Sequence, residues 1–155
     1  MRYFILFLII MLTGFQRYIS AQDLSGHLWK DRLVLLYTED KASERYAQQL
    51  DELKSDKEGL DDRKLVIYSI TPTHVRKGRE NGEWEVSNGS LNKFKEGKGG
   101  FEVVLLGLDG RVKLRQDQLL KRDMLYEIID RMPMRQLELK NRDYQFKKLT
   151  DFYKQ

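Results

Sequence analysis

Residues 101–115 read FEVVLLGLDGRVKLR, and this segment decides the fold. The largely apolar run Phe101–Leu106 is typical of a buried strand, and Asp109-Gly110 separates it from a second strand-like run at 111–115. Asp and Gly both tolerate positive φ, so the pair favours a tight turn. The segment therefore predicts two antiparallel strands joined as a hairpin.

Two more apolar strands lie upstream of this hairpin, at 32–37 and 65–70. Between them, apolar residues recur every three or four positions from Lys41 to about Lys57, which is typical of an amphipathic helix. Strand, helix and strand in this order form a βαβ unit, and the right-handed crossover of such units makes the two strands parallel.

The other segments are less regular. Asn-Gly pairs at 81–82 and 88–89 bracket Glu83–Val86, which is the pattern of a small hairpin, and a short helix is expected around Leu91–Lys95. Downstream, Met124–Met132 has helical spacing and should end where Pro133 interrupts the helix.

The element order predicts an α/β protein with a thioredoxin-like fold. We expect a three-layer sandwich, with a central mixed sheet of about four strands and helices on both faces. The domain would comprise residues 22–136. Residues 137–155 would form a basic amphipathic C-terminal extension that packs back on the domain or meets a partner.

The chain contains no cysteine. Disulfides, thiolate catalysis, dithiol redox chemistry and cysteine-ligated metals are therefore excluded. In redox-active thioredoxin folds, the Cys-x-x-Cys motif lies between the first strand and the first helix. That segment here reads Thr38-Glu39-Asp40-Lys41, and Gly99-Gly100 stands where the facing cis-proline is usual. No catalytic residue is predicted.

The candidate binding site is the segment of the missing motif. Thr38, Glu39 and Asp40 would form a small polar pocket at the helix end, and Arg115 and Arg135, near strand ends, would add a basic rim for an anionic ligand. Two simpler interpretations stay open. Thr and Asp are common helix-capping residues, and arginines at strand ends are commonly solvated charges that discourage edge pairing.

Neither a metal nor a cofactor is predicted. The two histidines, His27 and His74, show no His-x-Glu or His-x-x-x-His spacing. Gly97–Gly100 lacks the Gly-Lys-Ser/Thr ending and the preceding strand of a phosphate loop, and no Gly-x-Ser-x-Gly elbow is present.

Residues 1–21 have the layout of a secretory signal peptide. A positive start is followed by the apolar run 3–12 and by a polar stretch that ends at the small residue Ala21. We expect cleavage near Ala21, a secreted or periplasmic protein, and no membrane span afterwards; an uncleaved anchor is the alternative.

The charge of the chain gives no reason to expect nucleic-acid binding. Its formal net charge is +4, but loss of Arg2 and Arg17 with the signal peptide leaves 26 basic against 24 acidic side chains. This near balance is typical of an ordinary protein surface.

Four segments resemble the DUDES-type domain of unknown function, which occurs alone in exported bacterial proteins and repeated in extracellular-matrix proteins of the equarin and sushi-repeat types. The similar region is roughly 24–138, and its segments are Leu28–Leu36, Asp62–Val66, Phe101–Arg115 and Met132–Gln136. The resemblance implies a thioredoxin-like or peroxiredoxin-like fold without an established catalytic activity, and matrix adhesion and glycosaminoglycan association for the animal members.

These observations predict an exported, non-catalytic domain that binds a protein or glycan of the envelope or extracellular space. The alternative is a cysteine-independent enzyme that acts on a small anionic substrate at the first strand–helix junction. Such an enzyme requires a pocket with convergent polar groups at that junction.

Overall fold

The computed structural model describes residues 24–78 and 82–153 as a mixed α/β protein with a six-stranded mixed sheet. The strands are β1 (Arg32–Thr38), β2 (Leu65–Ile70), β3 (His74–Lys77), β4 (Glu85–Val86), β5 (Phe101–Leu106) and β6 (Val112–Gln116). Their order across the sheet is β4-β3-β2-β1-β5-β6. β1 and β2 are parallel, and all other neighbours are antiparallel.

The strands expected from the long apolar runs are present, but the sheet has six strands and not about four. β3 and β4 come from the segment that looked irregular in sequence. β4 pairs with β3, not with another strand inside the bracketed segment, and β3 pairs with β2. The hairpin thus extends the main sheet.

Among the described residues, four α-helices accompany the sheet, and two 3₁₀ helices lie at Leu24–His27 and Ser90–Phe94. The α-helices are α1 (Glu44–Lys54), α2 (Lys57–Asp62), α3 (Arg122–Asp130) and α4 (Pro133–Phe152). The helix expected from Lys41 begins three residues later, after Ser43, and a second helix follows it. Asp56 starts that second helix because its side chain accepts a hydrogen bond from the Gly59 amide.

Two apolar layers cover the sheet. Val34 and Leu36 of β1 face one cluster, to which α1, α2 and α3 contribute Leu53, Leu60 and Leu125. Leu33, Leu35 and Tyr37 face the other cluster, together with Leu91 of the second 3₁₀ helix. Helices α1, α2 and α3 therefore pack on the same face of the sheet. The sequence predicted helices on both faces, but the opposite face is covered by 3₁₀ helices.

The C-terminal helix α4 starts at Pro133, which occupies its first turn, and runs across the boundary expected after residue 136. Its distal half carries several exposed apolar side chains, among them Tyr144, Phe146, Leu149 and Phe152. None of the helices in residues 24–78 and 82–153 combines the length and the apolar character needed to cross a membrane. The predicted signal peptide lies outside these residues.

Candidate functional site

The structure places Thr38 at the end of β1 and Glu39 and Asp40 in the turn that leads to α1. Thr38 is buried, and its hydroxyl donates to the Asp40 carbonyl at 2.8 Å. The exposed Asp40 carboxylate accepts a hydrogen bond from the Ala42 amide, also at 2.8 Å. Both side chains therefore stabilise the turn that leads to the helix.

Glu39 lies against the loop that precedes β5. Its amide donates to the Gly100 carbonyl at 3.0 Å. Its side chain lies so close that a Cβ added at Gly100 would be 3.1 Å from the Glu39 Cδ. The junction between the first strand and the first helix is thus in direct contact with the Gly99-Gly100 segment.

Arg115 of β6 contacts the other end of that same loop, at Phe94 and Glu96. Its guanidinium contacts the buried Glu102 at 2.8 Å and also donates to the Phe94 carbonyl. The Glu102 carboxylate in turn accepts hydrogen bonds from the Glu96 and Gly97 amides at 3.2 and 3.1 Å. The Arg115 guanidinium therefore binds groups of the protein itself, chiefly the Glu102 carboxylate, and not a ligand at a basic rim.

Arg135 lies at the opposite end of β1. It is 4% exposed and pairs with Asp62, Asp130 and Glu138, and Glu138 also pairs with Arg32, the first residue of β1. A seven-residue strand is about 20 Å long, so Arg135 does not share a rim with Thr38, Glu39 and Asp40.

The predicted site residues therefore occupy three places in the fold. Thr38, Glu39 and Asp40 are together, Arg115 contacts the neighbouring loop, and Arg135 belongs to an ion cluster at the far end of β1.

A pocket of about 570 Å³ opens elsewhere, on the face covered by the 3₁₀ helices. Its apolar lining includes Leu33, Leu91 and Leu106 from the sheet layer, and Leu28 and Leu108 from the adjoining segments. The turn Gly107–Gly110 of the β5–β6 hairpin completes one wall. None of the predicted site residues lines this pocket.

Two polar residues of this wall, His27 and Asp31, belong to a hydrogen-bonded chain that ends at Tyr68. His27 is buried; its Nδ1 lies 2.6 Å from the Asp31 carboxylate and its Nε2 lies 2.9 Å from the Tyr68 hydroxyl. Burial, and then the charge of Asp31, raises the pKa of Tyr68 to about 12, so the hydroxyl keeps its proton. It can donate to Nε2 while Nδ1–H donates to Asp31.

Both ring nitrogens of His27 are therefore engaged in hydrogen bonds with other side chains of the protein. A histidine that acts as a metal ligand or a general base needs a nitrogen that can reach the metal or the substrate. Across 24–78 and 82–153, no group of three or more His, Asp or Glu side chains is placed to hold a metal ion.

Trp29, which follows the lining residue Leu28 in sequence, has an unusual backbone conformation. Its φ is 61°, in the left-handed region that non-glycine residues rarely adopt, and its side chain is 64% exposed. Its amide donates to the carbonyl of the pocket residue Leu108 at 2.7 Å. Backbone strain of this kind clusters at functional sites.

Sequence reasoning missed this pocket. The spacing of four between His27 and Asp31 is a local signal that could have indicated their pairing. No local signal indicates Tyr68, which is 41 residues away from His27.

Comparison with known proteins gives one match. A family model described as "Domain of unknown function (DUF4174)" matches residues 23–138. Searches of the curated proteins and of the solved structures each gave no match.

Proposed function

This chain belongs to the DUF4174 family of domains of unknown function, and we propose that it is a non-catalytic binding module. Its binding site is the pocket beside Trp29, which would receive an apolar group of a component of the envelope or extracellular space.

The observation that carries this proposal is the pocket together with its exposed lining residue Leu28 and the next residue, Trp29, whose amide bonds to the lining residue Leu108. Its volume of about 570 Å³ lies within the range of roughly 300–1,000 Å³ that is usual for small-ligand pockets. Leu28 lines it and is half exposed, and the neighbouring Trp29 is more exposed still. Tryptophan is enriched among residues that dominate binding energy, because a large ring loses little conformational entropy when it is buried by a partner.

The absence of catalysis is supported by how the polar groups are used. Both nitrogens of His27 are engaged by Asp31 and Tyr68. Thr38 and Asp40 satisfy backbone groups of their own turn, which gives no support to an enzyme at the first strand–helix junction.

We further infer a thioredoxin-like core. The strand order β2-β1-β5-β6, with one parallel and two antiparallel pairings, supports it. We also propose that the chain is exported through the signal peptide and is related to the DUDES and equarin domains. Its partner would be a protein or a glycan.

Binding of a neutral apolar dye to the full chain tests the pocket directly. N-phenyl-1-naphthylamine should bind saturably, with one site per chain and increased fluorescence. Ser25→Phe places a ring in the pocket and should weaken binding at least tenfold. Gln48→Phe, on the exposed surface of α1, is the matched control and should leave binding unchanged.

The proposal fails if the dye does not bind saturably, or if both variants change binding equally. An insulin-reduction or peroxidase assay that shows enzyme-like turnover would refute its non-catalytic part.

A further inference from the structure

We propose that the group bound in this pocket is cationic, an ammonium carried on an apolar stem, and that it binds at the Asp31 carboxylate. This inference rests on the proposed function and adds the charge and chemical class of the ligand.

Asp31 is the acidic group of the pocket whose charge is least compensated. Among the described residues its side chain contacts the His27 ring, and no lysine or arginine forms an ion pair with it. The other lining carboxylate, Asp109, is neutralised by the Lys113 ammonium at 2.9 Å. The bond from Lys113 and, more weakly, the Arg111 amide hold the pKa of Asp109 below its usual value despite burial.

The position of Asp31 also allows a ligand to reach it. Its side chain is 32% exposed, although it bonds to the buried His27 ring. A carboxylate at a partly dry wall attracts a cation more strongly than one in bulk water, because the effective dielectric constant is lower there. The lining also contains a lysine, Lys93. Its ammonium makes a cation–π contact with the Phe94 ring, at 5.0 Å from the ring centre, and forms no ion pair with Asp31 in the described part of the chain.

The rest of the lining selects the stem. Leucine and phenylalanine side chains dominate its apolar part: Leu24, Leu28, Leu33, Leu91, Phe94, Leu106 and Leu108. An ammonium without such a stem would gain little from this surface, and a purely apolar molecule would not use Asp31. An alkylamine, an arylalkylamine or a lysine side chain of a partner has the required chemistry.

Matched probes separate charge from shape. 4-Phenylbutylamine, 4-phenylbutanol and 4-phenylbutyrate share one stem and differ in their charge. Binding to the full chain is followed by NMR through the amide signals of Gly107 and Gly110, which line the pocket. We expect the amine to bind at least tenfold more tightly than the alcohol, and the carboxylate to bind most weakly.

Two variants assign the preference to one carboxylate. Asp31→Asn keeps an oxygen that can accept from His27 and should reduce the affinity for the amine to that for the alcohol. Asp123→Asn, whose side chain is 91% exposed and lies outside the pocket lining, is the control and should retain the preference. Two peptides distinguish a partner's lysine from a free amine as the ligand. If the ligand is a partner's lysine, acetyl-Leu-Lys-Leu-amide should bind more tightly than 4-phenylbutylamine, and acetyl-Leu-Gln-Leu-amide, which lacks the ammonium, should bind more weakly.

Equal binding of amine and alcohol to the unmodified chain would overturn this inference and leave the proposed function standing. A preference that survives in Asp31→Asn would overturn it as well. If neither these probes nor the neutral dye bind at the pocket, both the inference and the proposed function fail.

Discussion

Replacement of Arg135 by methionine should lower the free energy of unfolding substantially, because Arg135 joins helix α4 to the rest of the domain. Its guanidinium pairs with Asp62 from α2, Asp130 from α3 and Glu138 from α4. It also donates to the Asp62 carbonyl at 2.8 Å. Methionine fills similar space but satisfies none of these groups.

The expected loss follows from the exposure of the partners. Removal of one member of a fully buried ion pair costs about 3–5 kcal/mol. Here Arg135 is 4% exposed, but the three carboxylate side chains are 18–35% exposed and each retains another arginine, so we expect a loss of about 2–3 kcal/mol. For a chain of this length that corresponds to a melting temperature lower by roughly 4–12 °C.

Urea denaturation followed by circular dichroism measures the effect. Arg131→Met is the matched control. Arg131 is 78% exposed and, within the part of the chain that the structure describes, pairs with the exposed Glu127, so the change should alter stability by less than about 0.5 kcal/mol. Equal stability of the Arg135→Met variant and the unmodified chain would refute this account of the cluster.

The pH dependence gives a second measurement on the same variant. Burial alone would raise the pKa of Asp62, but the hydrogen bonds and charges of Arg135 and Arg142 outweigh it and hold that pKa below its usual value. The pKa of Glu138 is lowered against burial in the same way by Arg32, Lys64 and Arg135. The contribution to stability is therefore fully present above the unfolded pKa values near about 4, and it is lost as the pH falls through the folded values. Arg135→Met should reduce this acid-dependent loss.

Three further variants test other parts of the structure by the same denaturation assay. Gly110→Ala forces alanine into a φ of 71° and should lower the free energy of unfolding by about 1–2 kcal/mol. Gly99→Ala places its Cβ in open space and should lower it by less than about 0.5 kcal/mol. Similar losses in the two variants would contradict the strain argument. Tyr68→Phe leaves the buried His27 Nε2 without a donor and should cost about 1–3 kcal/mol, so an unchanged stability would show that this bond contributes nothing. Deletion of residues 141–155 removes mostly exposed side chains and should change stability by about 0.5 kcal/mol or less; a larger loss would place the distal helix in the packed fold.

Local pattern was sufficient to locate the main elements. The apolar runs gave β1, β2 and β5 within one residue, because strands buried on both faces need continuous apolar sequence. The Asp109-Gly110 pair located the β5–β6 hairpin. The β3 strand was missed because a four-residue, partly exposed strand next to the edge strand β4 needs no strong apolar pattern.

The candidate site could not be read from local pattern, because it depends on contacts between distant segments. Leu28 and Gly110 are 82 residues apart in sequence, yet a Cβ at Gly110 would be 2.9 Å from the Leu28 side chain. Likewise, Arg135 was expected at a basic rim, and nothing in its sequence neighbourhood indicates Asp62, 73 residues away. General rules of topology indicate which strands are neighbours. They do not indicate which side chains from distant segments meet at the ends of those strands.

The position of β1 at the centre of the sheet has a consequence for the folding of the nascent chain. Its partner β2 is complete at Ile70, but its other partner β5 is complete only at Leu106. At synthesis rates of 5–20 residues per second, β1 therefore has an unpaired edge for about 2–7 s. An apolar strand with an open edge can pair with other chains, so we expect refolding yields to fall as protein concentration rises. A chaperone that shields this edge during synthesis would act on residues 32–38.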